Sequence, residues 1–229
     1  MSFQPQNIII IGATGGIGSA FLEEAQARYP MARVTGLSRS TGFDLTDEAS
    51  ISAAAEQAGK DIDLVIVATG LLHSDQFGPE KSLKDLNADT LAQVFAINTF
   101  GPALVMKHFL PRMAKDRRSV FAALSARVGS VSDNRIGGWY GYRAAKAALN
   151  QMIRTASIEH ARRWREGIVV GLHPGTVDTG LSKPFQRHVA EGKLFTPAYS
   201  ASAMLDVLEK LDGSQTSWVF DFAGEAVHP

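Results

Sequence analysis

The stretch Asn7-Ile8-Ile9-Ile10-Ile11-Gly12-Ala13-Thr14-Gly15-Gly16-Ile17-Gly18-Ser19 decides the fold of this chain. A short apolar run that ends in a glycine turn is typical of a buried strand, and residues 8–11 form such a run. Apolar residues at helical spacing follow the turn and predict a helix. This part of the chain is therefore expected to be a strand, a tight turn and a helix in succession.

The glycines of this stretch favour a ligand at the turn. Without a Cβ they accept positive φ and let the backbone approach a bound molecule closely. The N-terminus of the following helix directs unpaired N–H groups and the positive end of its dipole at the same gap. The predicted ligand is an anion, most commonly a dinucleotide pyrophosphate, held by Gly12, Thr14, Gly16, Ile17 and Gly18. The alternative is an ordinary glycine-rich turn.

Composition favours one α/β domain over residues 1–229 and argues against several other classes of protein. Hydrophobic residues make up 45% of the chain, enough for a substantial core. The 23 basic and 23 acidic residues give zero formal net charge, which argues against nucleic acid or an anionic membrane as partner. The lack of cysteine excludes disulfides and cysteine-based zinc sites, and no metal site is predicted. Because residues 8–11 are too few to span a bilayer, we expect a soluble cytoplasmic protein.

Strands and helices are predicted to alternate along the whole chain. Further strands are expected at 33–37, 62–68, 119–124, 167–172 and 217–222, and further helices at about 47–58, 83–110, 139–165 and 198–211. Such alternation predicts a Rossmann-type α/β fold, with a doubly wound parallel sheet of about seven strands and helices on both faces. The carboxyl ends of these strands then meet at one edge, where open α/β sheets bind their ligands.

The long helix at 83–110 is expected to kink in its middle. Asn98 is a weak helix former, and Pro102 removes a hydrogen bond from the helical ladder. A buried asparagine at a kink either holds a water molecule or only satisfies the freed backbone groups. Asn98 is therefore a candidate with two interpretations.

The end of the second predicted strand favours NADP(H) over NAD(H). Ser38 lies 20 residues beyond Gly18, where an NAD-selective site usually carries an acidic residue for the ribose hydroxyls. Arg39 instead offers a guanidinium, which suits a 2′-phosphate by charge and by geometry. The alternative is a solvated surface arginine, and NAD(H) is then the cofactor. Asp44 either accepts from the adenine amino group or bonds its own turn.

Tyr142 and Lys146 lie four residues apart in the helix predicted at 139–165. Side chains at this spacing project from the same helical face. On its own, the pair is better explained as a phenol and an ammonium on the protein surface without a function.

Taken together, these motifs resemble the short-chain dehydrogenase/reductase family over nearly the whole chain. The matching residues are Gly12-xxx-Gly16-Ile17-Gly18, Asn98, Tyr142-xxx-Lys146 and Pro174-Gly175-x-Val177-x-Thr179, in the family's order. The stretch 133–150, DNRIGGWYGYRAAKAALN, resembles the C-factor and sniffer-like carbonyl reductase branch more closely.

The resemblance implies a set of roles for these residues. Tyr142 is the expected proton donor to a carbonyl oxygen, Lys146 the charge that favours its phenolate, and Asn98 the holder of a relay water. The expected contacts of the cofactor outside the glycine turn are Ser38, Arg39, Asp44, Leu45, Ala68, Thr69, Gly70, Tyr142, Lys146, Pro174, Gly175, Val177 and Thr179. Segment 180–197 is the expected substrate-loop insertion, and 181–195 its mobile lid.

The chain departs from the family pattern at three places. Ile11 replaces a threonine, and Val67-Ala68-Thr69-Gly70 replaces the usual Asn-Asn-Ala-Gly. The most serious departure is Ala126, which occupies the position of the carbonyl-orienting serine. Ser125 is the nearest stand-in, although it faces the opposite way on a regular strand; Ser130 and Ser132 are further substitutes. Losing this hydrogen bond is expected to cost about 10²–10³ in rate.

Two main functions compete on these grounds. The first is an NADP(H)-dependent reductase of a small carbonyl compound, an aldehyde or a ketone. The second is a catalytically weakened NADP(H)-binding sensor or C-factor-like signalling protein, as Ala126 suggests. A structural protein without cofactor is the third. The long helices resemble those that pair in the family, so a homodimer or homotetramer is expected.

Overall fold

A single parallel sheet organises the computed structural model, which describes residues 3–229 apart from the side chain of His188. The strands are β1 (Asn7–Ile11), β2 (Arg33–Leu37), β3 (Leu64–Val67), β4 (Ser119–Leu124), β5 (Gly167–His173), β6 (Thr176–Val177), β7 (Leu194–Phe195) and β8 (Val219–Asp221). Six of them form the main sheet in the order β2-β1-β3-β4-β5-β8, with every pair parallel. The predicted doubly wound sheet is confirmed. The count of about seven is corrected to six, because β6 and β7 pair only with each other.

Six α-helices accompany the strands within the described residues. They are α1 (Gly16–Arg28), α2 (Glu48–Ala58), α3 (Ala88–Phe95), α4 (Gly101–Phe109), α5 (Tyr140–Ala161) and α6 (Pro197–Lys210). Three begin at a side chain that accepts from a backbone N–H of the first turn: Asp47 for α2, Asn87 for α3 and Thr196 for α6. The caps of α2 and α6 explain why these two helices begin close to their predicted positions.

Both faces of the sheet are covered by helices, and β1 shows why. Its four isoleucines are fully buried and alternate in direction. Ile8 and Ile10 pack with residues of α1 and α6, whereas Ile9 and Ile11 pack with residues of α2, α4 and α5. A strand that is apolar on both sides is stable only between two layers, as in doubly wound folds.

The helix predicted at 83–110 is divided in the structure. A 3₁₀ turn at Leu83–Asp85 precedes α3, and a π-helical turn at Ala96–Phe100 joins α3 to α4. The expected kink therefore takes the form of a π turn, a feature often found at functional sites. Among the helices of residues 3–229, none is both long enough and apolar enough to cross a bilayer.

Candidate functional site

The glycine turn between β1 and α1 is too tight for other residues. Gly12 has φ of +85°, and a Cβ on it would lie 2.9 Å from the carbonyl oxygen of Ala68. A Cβ on Gly18 would lie only 2.0 Å from the carbonyl oxygen of Gly12. The Gly12 N–H donates to the carbonyl of Leu37 at 2.8 Å. The turn thus gathers the carboxyl ends of β1, β2 and β3.

The segment after β5 reaches the same place. A Cβ on Gly16 would lie 2.7 Å from Cγ2 of Thr179, so this threonine packs over the start of α1. The Ser182 hydroxyl donates to the carbonyl of the buried Val177 at 2.5 Å, and the Thr179 N–H donates to Ser182 Oγ at 3.3 Å. The predicted contacts of the glycine turn and of the Pro174–Thr179 motif are therefore brought together.

Gly175 and Pro174 attach this motif to β7 and α6. Gly175 has φ of +77°, and a Cβ on it would lie 2.7 Å from the ring of Phe195. The carbonyl of Pro174 accepts from the Ser200 hydroxyl at 2.8 Å, which ties the motif to α6. These two residues fix the backbone of the motif through contacts with other parts of the protein.

A buried hydroxyl without a partner lies beside the glycine turn. Thr69 Oγ1 is inaccessible and makes no hydrogen bond within residues 3–229, while its Cγ2 would lie 3.0 Å from a Cβ on Gly12. Thr14 and Gly16 are exposed at the start of α1, so the cradle is open to solvent. An unpaired donor, an open helix N-terminus and backbone that only glycine permits together fit a bound dinucleotide.

The end of β2 carries Ser38 and Arg39. Ser38 is buried, and its Oγ lies 2.8 Å from that of Ser40. Arg39 is exposed, starts a 3₁₀ turn and forms none of the ion pairs found in the described part of the chain. Its guanidinium is therefore available to a ligand at this edge.

Asp44 and Leu45 have structural partners. Asp44 Oδ1 accepts from the N–H and the hydroxyl of Thr46, and these bonds, with the charge of Arg39, lower the pKa of Asp44. Of its two interpretations, the turn is the one that the structure shows. Leu45 is buried against Gly101, where a Cβ would lie 2.4 Å from Leu45 Cγ.

Tyr142 and Lys146 do not lie on the surface. Tyr142 is 9% exposed and Lys146 is 2% exposed, both on the face of α5 that packs on the sheet. The Lys146 Nζ donates to the carbonyl of Leu124 at 2.7 Å, and it lies 5.7 Å from the centre of the Tyr142 ring. The interpretation as a surface pair is wrong.

Burial shifts the pKa values of Tyr142 and Lys146 in the direction that favours the neutral form of each group. It raises the pKa of Tyr142 to about 12, and no hydrogen bond or charge in the described chain opposes that shift. It lowers the pKa of Lys146 to about 7. Lys146 was expected to favour the phenolate, but in the chain alone desolvation is stronger than the attraction between the two groups.

Asn98 lies in the π turn and is fully buried. Its Nδ2 donates to the carbonyls of Leu71 and Val94 at 2.7 and 2.9 Å, and its Oδ1 accepts from the Leu71 N–H at 3.1 Å. Both amide donors are thus used by the protein. The structure favours the interpretation that Asn98 pairs the backbone groups freed at the kink. Its bonds to Leu71 also attach the loop after β3 to the π turn.

Ser125 does not take the place of the carbonyl-orienting serine, whose position is occupied by Ala126. Its hydroxyl donates to Oδ1 of Asn150 at 2.5 Å, and Asn150 lies about two helical turns beyond Tyr142 on α5. Ser125 continues the strand register, since its N–H bonds the carbonyl of Leu172. The regular strand geometry therefore directs this hydroxyl away from Tyr142.

The other two serines are also occupied. Ser130 Oγ accepts from the N–H of Asp133 at 3.2 Å and lies 3.4 Å from Ser132 Oγ. The Ser132 hydroxyl donates to the carbonyl of Pro229. Neither forms a hydrogen bond with Tyr142 among the described residues, so both hydroxyls have partners other than the phenol.

A cleft of about 610 Å³ is lined by Trp139, whose ring packs against Tyr142. Its walls come from the loop after β3 and from the 3₁₀ segment after β6: His73, Ser74, Asp75, Gln76, Phe77, Gly78, Pro79, Lys81, Trp139, Pro184 and Phe185. The Trp139 ring packs edge-on against Tyr142 at 6.4 Å and against Phe185 at 5.0 Å. Sequence reasoning placed the substrate loop in the second of these segments but missed Trp139, whose signal was its place three residues before Tyr142.

Comparison with known proteins agrees with this geometry. Residues 6–190 match the family described as short chain dehydrogenase. Among curated relatives, 1-hydroxy-2-glutathionyl-2-methyl-3-butene dehydrogenase of Rhodococcus sp. (strain AD45) is 29% identical, over 77% of this chain and 74% of the relative. C-signal of Myxococcus xanthus is 33% identical, over 64% of this chain and 82% of the relative. The crystal structure of NADPH-bound carbonyl reductase from chicken fatty liver superposes with a TM-score of 0.81 at 22% identity, covering 98% and 99% of the two chains, which shows a shared fold.

Proposed function

The chain belongs to the short-chain dehydrogenase family, and on that premise we propose that it is an NADP(H)-dependent reductase of aldehydes or ketones. One observation carries the proposal. A buried phenol and a buried amine, Tyr142 and Lys146, lie together at the sheet edge that also holds the glycine cradle, and Trp139, which packs against Tyr142, lines a cleft of small-molecule size.

The residues that would hold NADP(H) are those of the cradle and of the β2 end. Gly12, Gly16 and Gly18 admit the pyrophosphate to the backbone, and Thr69 offers an unpaired hydroxyl. Arg39 offers a free guanidinium to a 2′-phosphate. A related fold with NADPH bound supports the choice of cofactor. When bound, the nicotinamide supplies the reducing equivalent, and the protein supplies position and charge.

Tyr142 is proposed to donate the proton. With its pKa raised to about 12, the phenol keeps its proton at neutral pH and can give it to a carbonyl oxygen that gains negative charge. The apolar surroundings that raise this pKa also strengthen a hydrogen bond to that oxygen. The burial of Tyr142 therefore favours the role of donor over that of base.

Lys146 is proposed to assist this donation when it is charged. Its bond to the Leu124 carbonyl holds the Nζ at the end of β4, near the Tyr142 ring. As an ammonium, it stabilises the phenolate that the transfer leaves behind. Since its pKa is about 7, protonated and neutral forms are both populated near neutrality.

Substitution of Tyr142 by phenylalanine tests the proposal. We expect kcat for NADPH-dependent reduction of small diketones to fall by about 10²–10⁴, because the proton donor is lost. Calorimetry should show unchanged NADPH binding. Tyr140→Phe is the matched control, since Tyr140 starts α5 but is exposed. Full turnover by Tyr142→Phe would remove Tyr142 from the mechanism.

A catalytically weakened, nucleotide-binding signalling protein is the second candidate. Ala126, and the Ser125 hydroxyl bound to Asn150, favour it because no serine is in place to orient a carbonyl. The similarity to C-signal points the same way. Tight NADPH binding without turnover across a broad panel of carbonyl compounds would support this candidate, and measurable reduction of simple diketones would count against it.

A further inference from the structure

Glu80 is buried next to the start of α5, and the proposed reaction does not use it. It lies in the loop between β3 and α3, yet it is only 6% exposed. We propose that Glu80 is a positioning residue, which fixes the first turn of α5 and thereby the place of Tyr142. This inference rests on the proposed function of Tyr142.

Glu80 supplies the cap that α5 lacks. Trp139 occupies the N-cap position, and its side chain makes no capping bond. Instead the Glu80 carbonyl accepts from the Trp139 N–H at 2.5 Å, and Glu80 Oε2 accepts from the Gly141 N–H at 3.1 Å. Each bond links Glu80 to a residue about sixty positions further along the chain, in the turn that carries Tyr142. A carboxylate is also favourable at the positive end of the helix dipole.

The fit between Glu80 and α5 depends on a glycine. A Cβ on Gly141 would lie 2.8 Å from Glu80 Oε1 and 2.9 Å from Leu91 Cδ2. The φ of Gly141 is not positive, so its backbone conformation does not require glycine. Glycine is needed because the Glu80 carboxylate lies too close to leave room for a Cβ. The residue beside Tyr142 is thus small because Glu80 lies against it.

Trp139 shows that this junction is held under strain. Its φ of +53° is uncommon for a residue with a Cβ, and such strain persists only where surrounding contacts fix it. The bond to the Glu80 carbonyl is one such contact. Because the Trp139 ring touches both Tyr142 and Phe185, Glu80 sets the phenol and one wall of the cleft together.

The second carboxylate oxygen is costly to the fold. Glu80 Oε1 is buried and has no hydrogen-bond partner among the described residues. It borders the narrow gap that Tyr142, Leu72 and Val94 also line. A neutral cap would satisfy Gly141 without leaving such an oxygen.

Three variants of the full-length protein test this role. Glu80→Ala should lower kcat by about tenfold or more and leave the NADPH dissociation constant unchanged, because a misplacement of about 1 Å is enough for such a loss. Glu80→Gln should restore kcat to within about threefold, since its amide oxygen can accept from Gly141. Asp85→Ala is the control: Asp85 caps the 3₁₀ turn of the same loop, accepting from Lys81 and Ser82, and does not touch α5.

Hydrogen exchange of the cofactor-free protein gives a readout apart from activity. The amides of 139–142 should exchange about tenfold faster in Glu80→Ala than in the wild type, and at the wild-type rate in Asp85→Ala. If Glu80→Ala does not fold, Gly141→Ala replaces it. The added Cβ of Gly141→Ala displaces the Glu80 carboxylate, whereas alanine itself favours the helix. A lower kcat, with the α5 amides further along the helix still protected from exchange, therefore supports the inference.

A double variant separates this inference from the proposed function. In a Tyr142→Phe background, adding Glu80→Ala should cost less than about threefold, because both changes affect one step. Losses that multiply, or an unchanged kcat in folded Glu80→Ala, would overturn the positioning role. Full turnover by Tyr142→Phe would instead overturn the proposed function, and the exchange of 139–142 would still report on Glu80.

Discussion

At the residue scale, the site lacks one hydrogen bond, and the chain shows where to restore it. Ala126 lies two residues beyond the end of β4, whereas the hydroxyl of Ser125 is bound to Asn150. We expect Ala126→Ser to raise kcat for carbonyl reduction by about 10²–10³, the range of a single oxyanion donor. Steady-state kinetics with a simple diketone measures the change.

Ser125→Ala is the matched variant of the neighbouring residue. It should change kcat by less than about threefold and lower the free energy of unfolding by about 1 kcal/mol, through the lost bond to Asn150. A large fall in kcat for Ser125→Ala, with no gain from Ala126→Ser, would mean that Ser125 reorients to serve the reaction.

Arg39 is the residue on which cofactor choice is predicted to depend. Arg39→Ala should weaken NADPH binding by about 10–100-fold and NADH binding by less than about threefold, since only NADPH carries the 2′-phosphate. Calorimetry with both nucleotides measures the difference. Arg33→Ala is the control, an exposed arginine at the opposite end of β2. Equal losses for the two nucleotides would contradict NADP(H) preference.

Which residues meet was predictable from the sequence, but their protonation was not. The glycine turn, Thr179 and the Tyr142–Lys146 pair each follow a strand or share a helical face, so local patterns place them. The pKa of Lys146 depends on complete burial against Leu124, which only the folded chain provides. The direction of the Ser125 hydroxyl was predictable from strand alternation, and the structure agrees.

At the element scale, the π turn between α3 and α4 depends on Asn98. Its amide makes three hydrogen bonds, two of them to the backbone of Leu71 in another segment. Asn98→Ala should lower the free energy of unfolding by about 2–4 kcal/mol, because it leaves buried backbone groups unpaired. Urea denaturation measures this.

The N-cap of α3 provides the comparison for Asn98. Asn87→Ala removes one bond, to Thr90 N–H, at an exposed helix end and should cost about 1 kcal/mol. Equal costs for the two variants would show that the Leu71 loop is not anchored by Asn98. Sequence reasoning found the kink through Pro102 but not this anchor, because residues 71 and 98 are joined only by the fold.

At the scale of the whole molecule, the sheet explains why so much of the architecture was predictable. The central strands β1, β3, β4 and β5 are buried on both faces, so apolar runs mark these strands and amphipathic segments mark the helices between them. The short pair β6 and β7 escaped prediction, since two residues carry no period. The contacts of Glu80 with α5 escaped as well, because a loop residue gives no signal of a partner sixty positions away.

Burial of Tyr142 and Lys146 within this three-layered molecule also makes its stability depend on pH. The pKa of Lys146 is lowered to about 7 in the folded chain, so between about pH 7 and 10.5 the unfolded chain binds the extra proton. Stability then rises with pH across that window. The raised pKa of Tyr142 reverses the slope above about pH 10, where the folded chain holds the extra proton.

Lys146→Met isolates the first of these two effects. The difference in unfolding free energy between the wild type and Lys146→Met should grow in favour of the wild type from about pH 7 to 9.5, by a few kcal/mol at most. Urea denaturation of the cofactor-free protein at several pH values measures it, with Lys60→Met as the exposed control that leaves the profile unchanged. A flat difference would mean that Lys146 keeps its charge inside the fold, and its assistance to Tyr142 would then extend well above neutral pH.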